Sequence, residues 1–254
     1  MPLSVLTQEF ARPLATTAVQ HIRKIGEGGS DARLFQCEKG RFVVKGKKQG
    51  PRVPLNELVC ALLISTLGLF CATSAVVTIA ETFACANQQV LSPDYGQGKY
   101  FGSEFLGKVE GEKVPTFSQE AMKELVHPEH LGGIMVFDRW TNNTDRNANH
   151  ILVRDGQIYP IDHGNAFTGP GWFVESLRNE AGNVTPDWVL KQLVDPSWAR
   201  EYAARIQELD LKTFRQLLGE VVPPEWASAV DLDAMVDFLT VRRPLIGKAL
   251  GITF

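Results

Sequence analysis

The side chains best suited to chemistry lie in a nearly all-polar stretch, residues 141–149, which reads TNNTDRNAN. Two short apolar runs follow it, and the pair Asp155-Gly156 separates them. An Asp-Gly pair between apolar runs is the strongest short signal for a β-hairpin with a two-residue turn. We therefore predict a hairpin over residues 151–161, preceded by a polar loop.

The position of the turn decides which side chains meet at the open end of the hairpin. The inner pairs are Arg154 with Gln157, Val153 with Ile158 and Leu152 with Tyr159. Further out, His150 faces Ile161 and Asn149 faces Asp162, with the loop residue Asp145 beside them. Opposed residues share one face of a hairpin, so this register gathers amide and carboxylate oxygens. Such oxygens are ligands for Mg²⁺, and the remaining carboxylate could serve as a base.

A glycine-rich turn lies between two predicted strands, 19–25 and 32–37, and reads GEGGS. Small residues in such a turn let backbone N–H groups approach phosphate oxygens. The residues that could do so are Gly26, Gly28, Gly29 and Ser30. A simple hairpin turn explains the same pattern, and the turn is not the GxxxxGK[ST] loop of P-loop enzymes.

A lysine and a glutamate follow the glycine turn at spacings that would let them pair. The run RFVVK predicts a third strand that ends in Lys45, although Lys47 and Lys48 lie close by. Pro54 predicts the first turn of a helix, and Glu57 lies one turn further along. A pairing in which Glu57 orients Lys45 is what a resemblance to kinases would imply, whereas an exposed glutamate at a helix start is an ordinary feature by itself.

The motif NNTDRNANHIL, followed by IDHG, resembles the HipA-like kinases and, more distantly, the phosphatidylinositol 3/4-kinase-like group. The resemblance implies ATP as nucleotide and Mg²⁺ as metal, with Lys45 holding the α- and β-phosphates. Asp145 would position the acceptor hydroxyl, and Arg146 would neutralise charge near the transferred phosphoryl group or tie the loop together. Asp162 would bind the metal together with Asn149 or His150.

Two departures from the family pattern affect the metal ligands. The families place an Asn five residues after the loop Asp, where this chain has His150. The hairpin register favours Asn149, which we take as the better candidate, with His150 as the alternative. Asp162 is followed by His163, where many protein kinases have Phe.

Asp138 and Asn143 also show the Asp-x-x-x-x-Asn spacing. Asp138, however, lies within the apolar run 134–140, whereas Asp145 lies in the polar loop just before the hairpin. We therefore assign the catalytic role to Asp145 and treat the Asp138 match as an accident of spacing.

The order of elements predicts an α+β chain with a two-lobed, protein-kinase-like fold. Residues 1–105 would form an N-lobe with a small antiparallel sheet and one helix, and residues 106–254 a mostly helical C-lobe. The resemblance implies a hinge between the lobes whose backbone meets adenine at Glu104, Phe105 and Leu106. Further strand residues are expected at 75–81 and 89–91. The predicted later helices are 118–126, 128–140, 187–193, 196–209, 211–221, 224–230 and 232–250.

Two other functions remain compatible with these residues. A pseudokinase would bind nucleotide or a partner protein without phosphoryl transfer, which the displaced Asn and the lack of an Ala-Pro-Glu mark would fit. A metal-dependent hydrolase would use Asp145, His150, Asp162 and His163 but would leave the glycine turn and Lys45 without a role. For a kinase, the acceptor is left open among a lipid headgroup, a small molecule and a protein hydroxyl, including Ser30 itself, and a protein Ser/Thr is preferred.

The composition of the chain argues against several other classes of protein. The 254 residues carry a net charge of −3, which argues against a general nucleic-acid binder, although residues 23–52 have a local basic excess suited to a polyanion. The charge-free stretch 58–80 is long enough to span a bilayer, but its Ser, Thr and Gly content argues against a membrane helix. No secretory signal is recognisable in residues 1–18, and the four cysteines lack zinc-site spacing, so we expect a cytoplasmic protein with reduced thiols.

Overall fold

The structure, a computed structural model, describes residues 10–25, 31–183 and 194–249. The strands in this part of the chain are β1 (Leu14–Ile25), β2 (Ala32–Cys37), β3 (Gly40–Lys45), β4 (Ser74–Ile79), β5 (Gly98–Glu104), β6 (Ile151–Arg154) and β7 (Gln157–Pro160). The α-helices are α1 (Val53–Thr66), α2 (Glu81–Ala86), α3 (Gln119–Met122), α4 (His130–Thr141), α5 (Val174–Glu180), α6 (Pro196–Glu208), α7 (Leu211–Val221) and α8 (Ala229–Ala249). The fold is therefore a mixture of a small sheet and helices.

The first five strands form a closed barrel in the order β1-β2-β3-β5-β4, which corrects the expectation of a small antiparallel sheet. Closure depends on β1, which begins at Leu14 rather than at the predicted Val19. Its first half, from Leu14 to Thr17, pairs in parallel with β4, and its second half pairs antiparallel with β2. Because the additional residues supply backbone donors and acceptors to β4, neither strand is left as an open edge.

The barrel has its own apolar interior, which is built largely from aromatic rings. Phe35, Phe42, Tyr95 and Tyr100 are all buried there. The Tyr95 hydroxyl donates a hydrogen bond of 2.9 Å to the carbonyl of Val44 on β3, so its polar end is satisfied inside the core. Burial raises the pKa of Tyr100 to about 12. This interior supports the strand that carries Lys45.

Helix α1 packs into the larger, helical core rather than into the barrel interior. Its apolar side chains belong to one buried cluster with those of α4, α6, α7 and α8. The helix ends at Thr66, and Gly68 adopts a φ of +76° just beyond it. The charge-free stretch 58–80 is thus divided between α1, a connection and β4. Within the described residues, no helix combines the length and the apolar character needed to cross a bilayer.

Three local expectations are wrong or lie outside the described residues. Residues 89–91 are in turns rather than in a strand, because the chain enters α2 at Glu81 and then turns, with Val90 N–H donating to the Asn87 carbonyl at 3.0 Å. Residues 224–230 begin with a turn rather than a helix, because α8 begins only at Ala229. Asp231, in the first turn of α8, accepts hydrogen bonds from the backbone N–H and the hydroxyl of Ser228. The helix expected over 187–193 lies outside the described residues.

Two glycines in the first turn of α4 allow helix α6 to approach closely. A Cβ atom on Gly132 would lie 2.6 Å from the Cβ of Trp198, and one on Gly133 would lie 2.9 Å from the ring of Tyr202. Because a contact this short is sterically forbidden, only glycine permits this packing. The close fit fixes α4, which carries the chain directly into the polar loop.

Candidate active site

The predicted hairpin is confirmed, including its register. Strands β6 and β7 pair Arg154 with Gln157 and Leu152 with Tyr159. The turn residues Asp155 and Gly156 have φ angles of 50° and 71°, as a two-residue turn of this type requires. The hairpin therefore ends next to the polar loop, as expected from the sequence.

At the open end of the hairpin, the structure brings His150 rather than Asn149 next to Asp162. Nε2 of His150 lies 3.8 Å from Oδ2 of Asp162. Asn149 is exposed, because residues 148–150 form a short 3-10 helix instead of continuing the strand. The side-chain oxygen of Asn147 accepts the backbone N–H of Asn149 at 3.0 Å and stabilises this tight turn.

Lys45 joins three separate elements of the chain. Its ammonium group on β3 donates hydrogen bonds to Glu57 on α1 and, at 2.8 Å, to Oδ1 of Asp162 beyond β7. The side chain of Lys45 is 15% exposed and that of Asp162 is 32% exposed, so the pair lies at the edge of the protein interior. Lys47 and Lys48 are both exposed on a short 3-10 helix, and this leaves Lys45 as the inward-facing lysine of the three.

Burial and ion pairing act in opposite directions on these groups. Burial alone would lower the pKa of Lys45, but the carboxylates of Glu57 and Asp162 outweigh it and raise that pKa above its ordinary value. For Glu57, burial would raise the pKa, but the Lys45 charge and a hydrogen bond from His163 hold it well below its ordinary value. At neutral pH the site thus contains the Lys45 ammonium group beside the ionised carboxylate of Glu57.

His163 supports Glu57 from the interior. It is buried, and its Nδ1 lies 3.5 Å from Oε2 of Glu57. Burial lowers the pKa of His163, so its neutral form predominates, and the ring donates a hydrogen bond to the carboxylate of Glu57. The ring also meets Phe137 edge-on at 5.9 Å. This position removes His163 from the surface, where a hydrolytic role would require it.

The loop residue Asp145 is exposed. Its Oδ2 accepts a hydrogen bond of 3.2 Å from the side-chain amide of Asn165, just beyond Gly164. Asn165 was not recognised from the sequence, where it appears only as part of a polar loop. The contact links the loop that carries Asp145 to the segment that follows Asp162.

Arg146 is buried and ties the loop together. Its guanidinium makes two hydrogen bonds to Asp138, of 2.8 and 3.1 Å, and also donates to the carbonyls of His150 (2.7 Å) and Ile161. Asn143 donates to the same Asp138 at 3.0 Å. Of the two roles considered for Arg146, the contacts are those of a residue that holds the loop.

Asp138 therefore has a structural role that the sequence did not suggest. Its side chain is 2% exposed and accepts bonds from both Arg146 and Asn143. The signal was present, since a charged residue inside an apolar helical run rarely lies in a core without a partner. The spacing between Asp138 and Asn143 reflects a hydrogen bond that closes the start of the loop.

Asn56, also missed from the sequence, fixes the segment after Asp162 to helix α1. Its amide donates to the carbonyls of Gly164 (2.8 Å), Ala166 (3.0 Å) and Gly169 (3.1 Å), and its carbonyl accepts the indole N–H of Trp172 at 2.8 Å. Asn56 is buried away from water, so these bonds within the protein satisfy its polar atoms. The signal in the sequence was a polar residue on the inner face of an apolar helix.

The residues expected at the hinge lie at the end of β5 and directly after it. The backbone N–H of Glu104 donates to the Thr73 carbonyl at 2.9 Å, and that of Phe105 donates to the Arg41 carbonyl at 2.8 Å. The carbonyl of Leu106 accepts a hydrogen bond from the Arg154 side chain. The glycine-rich turn, with Gly26, Gly28, Gly29 and Ser30, lies outside the described residues.

Comparisons with known proteins support a kinase-like fold for this chain. A search among curated proteins finds no match. Among solved structures, the chain is similar to a proinflammatory kinase of Helicobacter pylori, CtkA, with a TM-score of 0.64 and 10% sequence identity. The alignment covers 95% of this chain and 100% of that one, so the two share a fold. The sequence profile described as HipA-like kinase matches residues 18–244. The chain therefore belongs to the HipA-like kinase family.

Proposed function

We propose that this protein is an ATP- and Mg²⁺-dependent kinase that transfers the γ-phosphoryl group to a hydroxyl acceptor, preferably a protein Ser or Thr. The observation that carries the proposal is the Lys45 ammonium bound to both Glu57 and Asp162. These residues come from a strand, a helix and the segment after the hairpin. A lysine held by a helix glutamate next to a metal-binding aspartate is the arrangement that phosphoryl transfer uses.

In this proposal, the N-terminal residues bind the nucleotide. Lys45 binds the α- and β-phosphates, and Glu57 keeps the ammonium group in position because its own carboxylate is fixed by His163. The glycine turn covers the triphosphate, and the backbone at residues 104–106 meets adenine. The two-lobed arrangement, with its boundary at 105/106, belongs to the same proposal.

The donor set fits one Mg²⁺ ion. Asp162 supplies a carboxylate at a partly exposed position, and Mg²⁺ in such sites needs only one or two protein ligands besides phosphate and water. His150 or Asn149 is the second candidate ligand. Asp162 has a φ of 62°, an uncommon conformation that recurs at functional sites and aims its side chain at Lys45. When bound, the ion neutralises phosphate charge during transfer.

The acceptor hydroxyl approaches Asp145. The exposed carboxylate orients that hydroxyl and takes its proton, and Asn165 holds the carboxylate in place. Arg146 keeps the loop and the hairpin in register through its bonds to Asp138 and the two carbonyls. Since positioning and electrostatics supply most of the catalysis in this chemistry, each role is one of charge and geometry.

The substitution Asp162→Asn tests the proposal. It should lower phosphate transfer from γ-labelled ATP by at least about 10²-fold, because the metal and the lysine both lose a charged partner. Asp155→Asn is a matched control, since Asp155 also has a positive φ, of 50°, but lies exposed at the hairpin turn. Transfer is measured as self-labelling, as labelling of casein, and as ADP release with and without Mg²⁺. Full turnover by Asp162→Asn would refute the assignment.

A specific observation also supports a second candidate, a pseudokinase. The position where the family has its metal-binding Asn holds His150, and the neighbouring Asn149 is turned to solvent. A pseudokinase would bind ATP without releasing ADP or labelling any protein. Equilibrium binding of a fluorescent ATP analogue, run beside the transfer assay, separates the two functions, and ADP release that depends on Asp162 excludes the pseudokinase.

A further inference from the structure

Two histidines and a glutamate gather at the start of α4, in the short sequence His127-Pro128-Glu129-His130. One potential ligand atom from each of the three residues His127, Glu129 and His130 lies within 4.8 Å of the other two. Nδ1 of His127 is 2.9 Å from Oε1 of Glu129, and the two imidazole rings stack with centroids 5.2 Å apart. Within the part of the chain that the structure describes, no other group of three or more His, Cys, Asp or Glu side chains is arranged in this way.

His130 provides a second, independent observation. It is 7% exposed, and its Nδ1 is buried with no hydrogen-bond partner in the described residues. A buried ring nitrogen without a partner carries an uncompensated desolvation cost, and such groups are rare in folded proteins. In a neutral imidazole one of the two ring nitrogens has a lone pair. A metal ion can accept this lone pair and so provide the missing partner.

The surroundings of the cluster are compatible with a cation. Phe70 packs against His130 at 4.9 Å, and Tyr202 meets the same ring edge-on at 6.1 Å, so aromatic rings enclose the buried side. Arg205, a cationic side chain that acts on His130, is paired with Glu201 at 2.6 Å. His127 and Glu129 are 44% and 34% exposed, which gives an ion an open approach from solvent.

We propose that His127, Glu129 and His130 form a binding site for one divalent transition-metal ion of the Zn²⁺ class, separate from the kinase centre. Two imidazoles and one carboxylate are a common three-ligand set for Zn²⁺, with water in the fourth position. Metal–ligand distances of about 2.0–2.1 Å place the ligand atoms of a tetrahedral site about 3.3 Å from one another. The exposed segment 127–129 closes around the fixed ring of His130 when the ion binds.

The position of the site gives the ion a structural effect. Val126, next to His127, donates its backbone N–H at 2.8 Å to the carbonyl of Gly156 in the hairpin turn. His130 is the first residue of α4, the helix that leads into the loop of Asp145. A metal that joins 127, 129 and 130 therefore stiffens the connection between the hairpin turn and this helix.

The experiment measures Zn²⁺ binding to the full chain after removal of metal with a chelator. We expect one ion per chain with a Kd of about 1 µM or tighter, and a rise in Tm of about 5–10 °C at hundredfold excess over Kd. His127→Ala and Glu129→Gln should each weaken binding at least about 10-fold. The matched controls His21→Gln and Glu124→Gln remove a histidine and a glutamate elsewhere and should leave the affinity unchanged.

Two further measurements test whether the ion binds at this site rather than at the proposed Mg²⁺ site, and what ligand geometry it has. Repeating the titration with Asp162→Asn distinguishes this site from the proposed Mg²⁺ site, because binding here should persist in that variant. The visible absorption of Co²⁺ bound to the unaltered chain reports a tetrahedral nitrogen and oxygen ligand set without any substitution. A Kd weaker than about 100 µM for the unaltered chain would overturn the proposal. So would an affinity in both ligand variants equal to that of the unaltered chain, or binding that disappears only with Asp162→Asn.

Discussion

The substitution Asp138→Asn should destabilise the whole protein, although it leaves every proposed catalytic group in place. Asp138 and Arg146 form a buried ion pair in which the side chains are 2% and 1% exposed. An Asn would offer one oxygen and no charge, and its NH₂ group would face the N–H donors of Arg146. Removing one partner of a buried ion pair costs about 3–5 kcal/mol, since the remaining charge is left without compensation.

The expected loss can be measured as a shift of the unfolding transition. For a chain of this size, 3–5 kcal/mol corresponds to a fall in Tm of about 10 °C and in urea midpoint of about 1–2 M. Circular dichroism and tryptophan fluorescence should report the same transition. At a given urea concentration, the ratio of folded to unfolded protein should fall by roughly 140- to 3,700-fold relative to the unaltered chain, since each 1.4 kcal/mol is a factor of ten.

Asp145→Asn is the matched control, because the same chemical change is made seven residues later on an exposed side chain. It should change the free energy of unfolding by less than about 0.5 kcal/mol while lowering phosphate transfer. Replacing both members of the pair, Asp138→Leu with Arg146→Met, should recover part of the lost stability, since no buried charge remains. If Asp138→Asn unfolded at the same midpoint as Asp145→Asn, the argument that this pair holds the loop would be wrong.

Two further predictions concern the interior. The unfolded chain protonates His163 near its ordinary pKa of 6.5, whereas burial lowers this pKa in the folded state, so stability falls as the pH drops below that value. His163→Phe should therefore flatten the decline of the unfolding free energy between about pH 7 and 5 in urea titrations, and an unchanged slope would contradict the buried, neutral ring. Gly132→Ala should destabilise by about 1–3 kcal/mol, because its Cβ would lie 2.6 Å from that of Trp198. Gly219→Ala, whose nearest neighbour is the mobile end of Arg215 at 3.4 Å, should instead stabilise by about 0.5–1 kcal/mol, and thermal denaturation compares the two.

The local pattern of the sequence was sufficient to predict the hairpin and the elements around it. Asp155-Gly156 predicted the turn and the register, because a two-residue turn with positive φ allows only one pairing of the two strands that flank it. Strand β2 and helix α7 have the bounds expected from their apolar periodicity. The family resemblance, based on the motif around residues 141–164, agrees with the profile match over residues 18–244.

Other features could not be predicted, because local patterns compete with contacts formed elsewhere in the chain. The hairpin register continued outward would have placed Asn149 opposite Asp162. Instead, the Asn147 side chain stabilises a 3-10 turn, and His150 takes that position. The barrel closes because β1 is longer at its start than its alternation indicated, and its partner β4 lies about 60 residues away.

The sequence by itself determined which residue types are available for the chemistry and in what order they occur: Lys45, Glu57, Asp145 and Asp162. It also determined the local turns that position them, since a turn depends on the backbone preferences of a few adjacent residues. Only the tertiary structure decided that Lys45 bridges Glu57 and Asp162, and that Asp138 has a structural role. Burial and pairing of charge depend on which distant segments pack together, and that information is not contained in any short stretch of the chain.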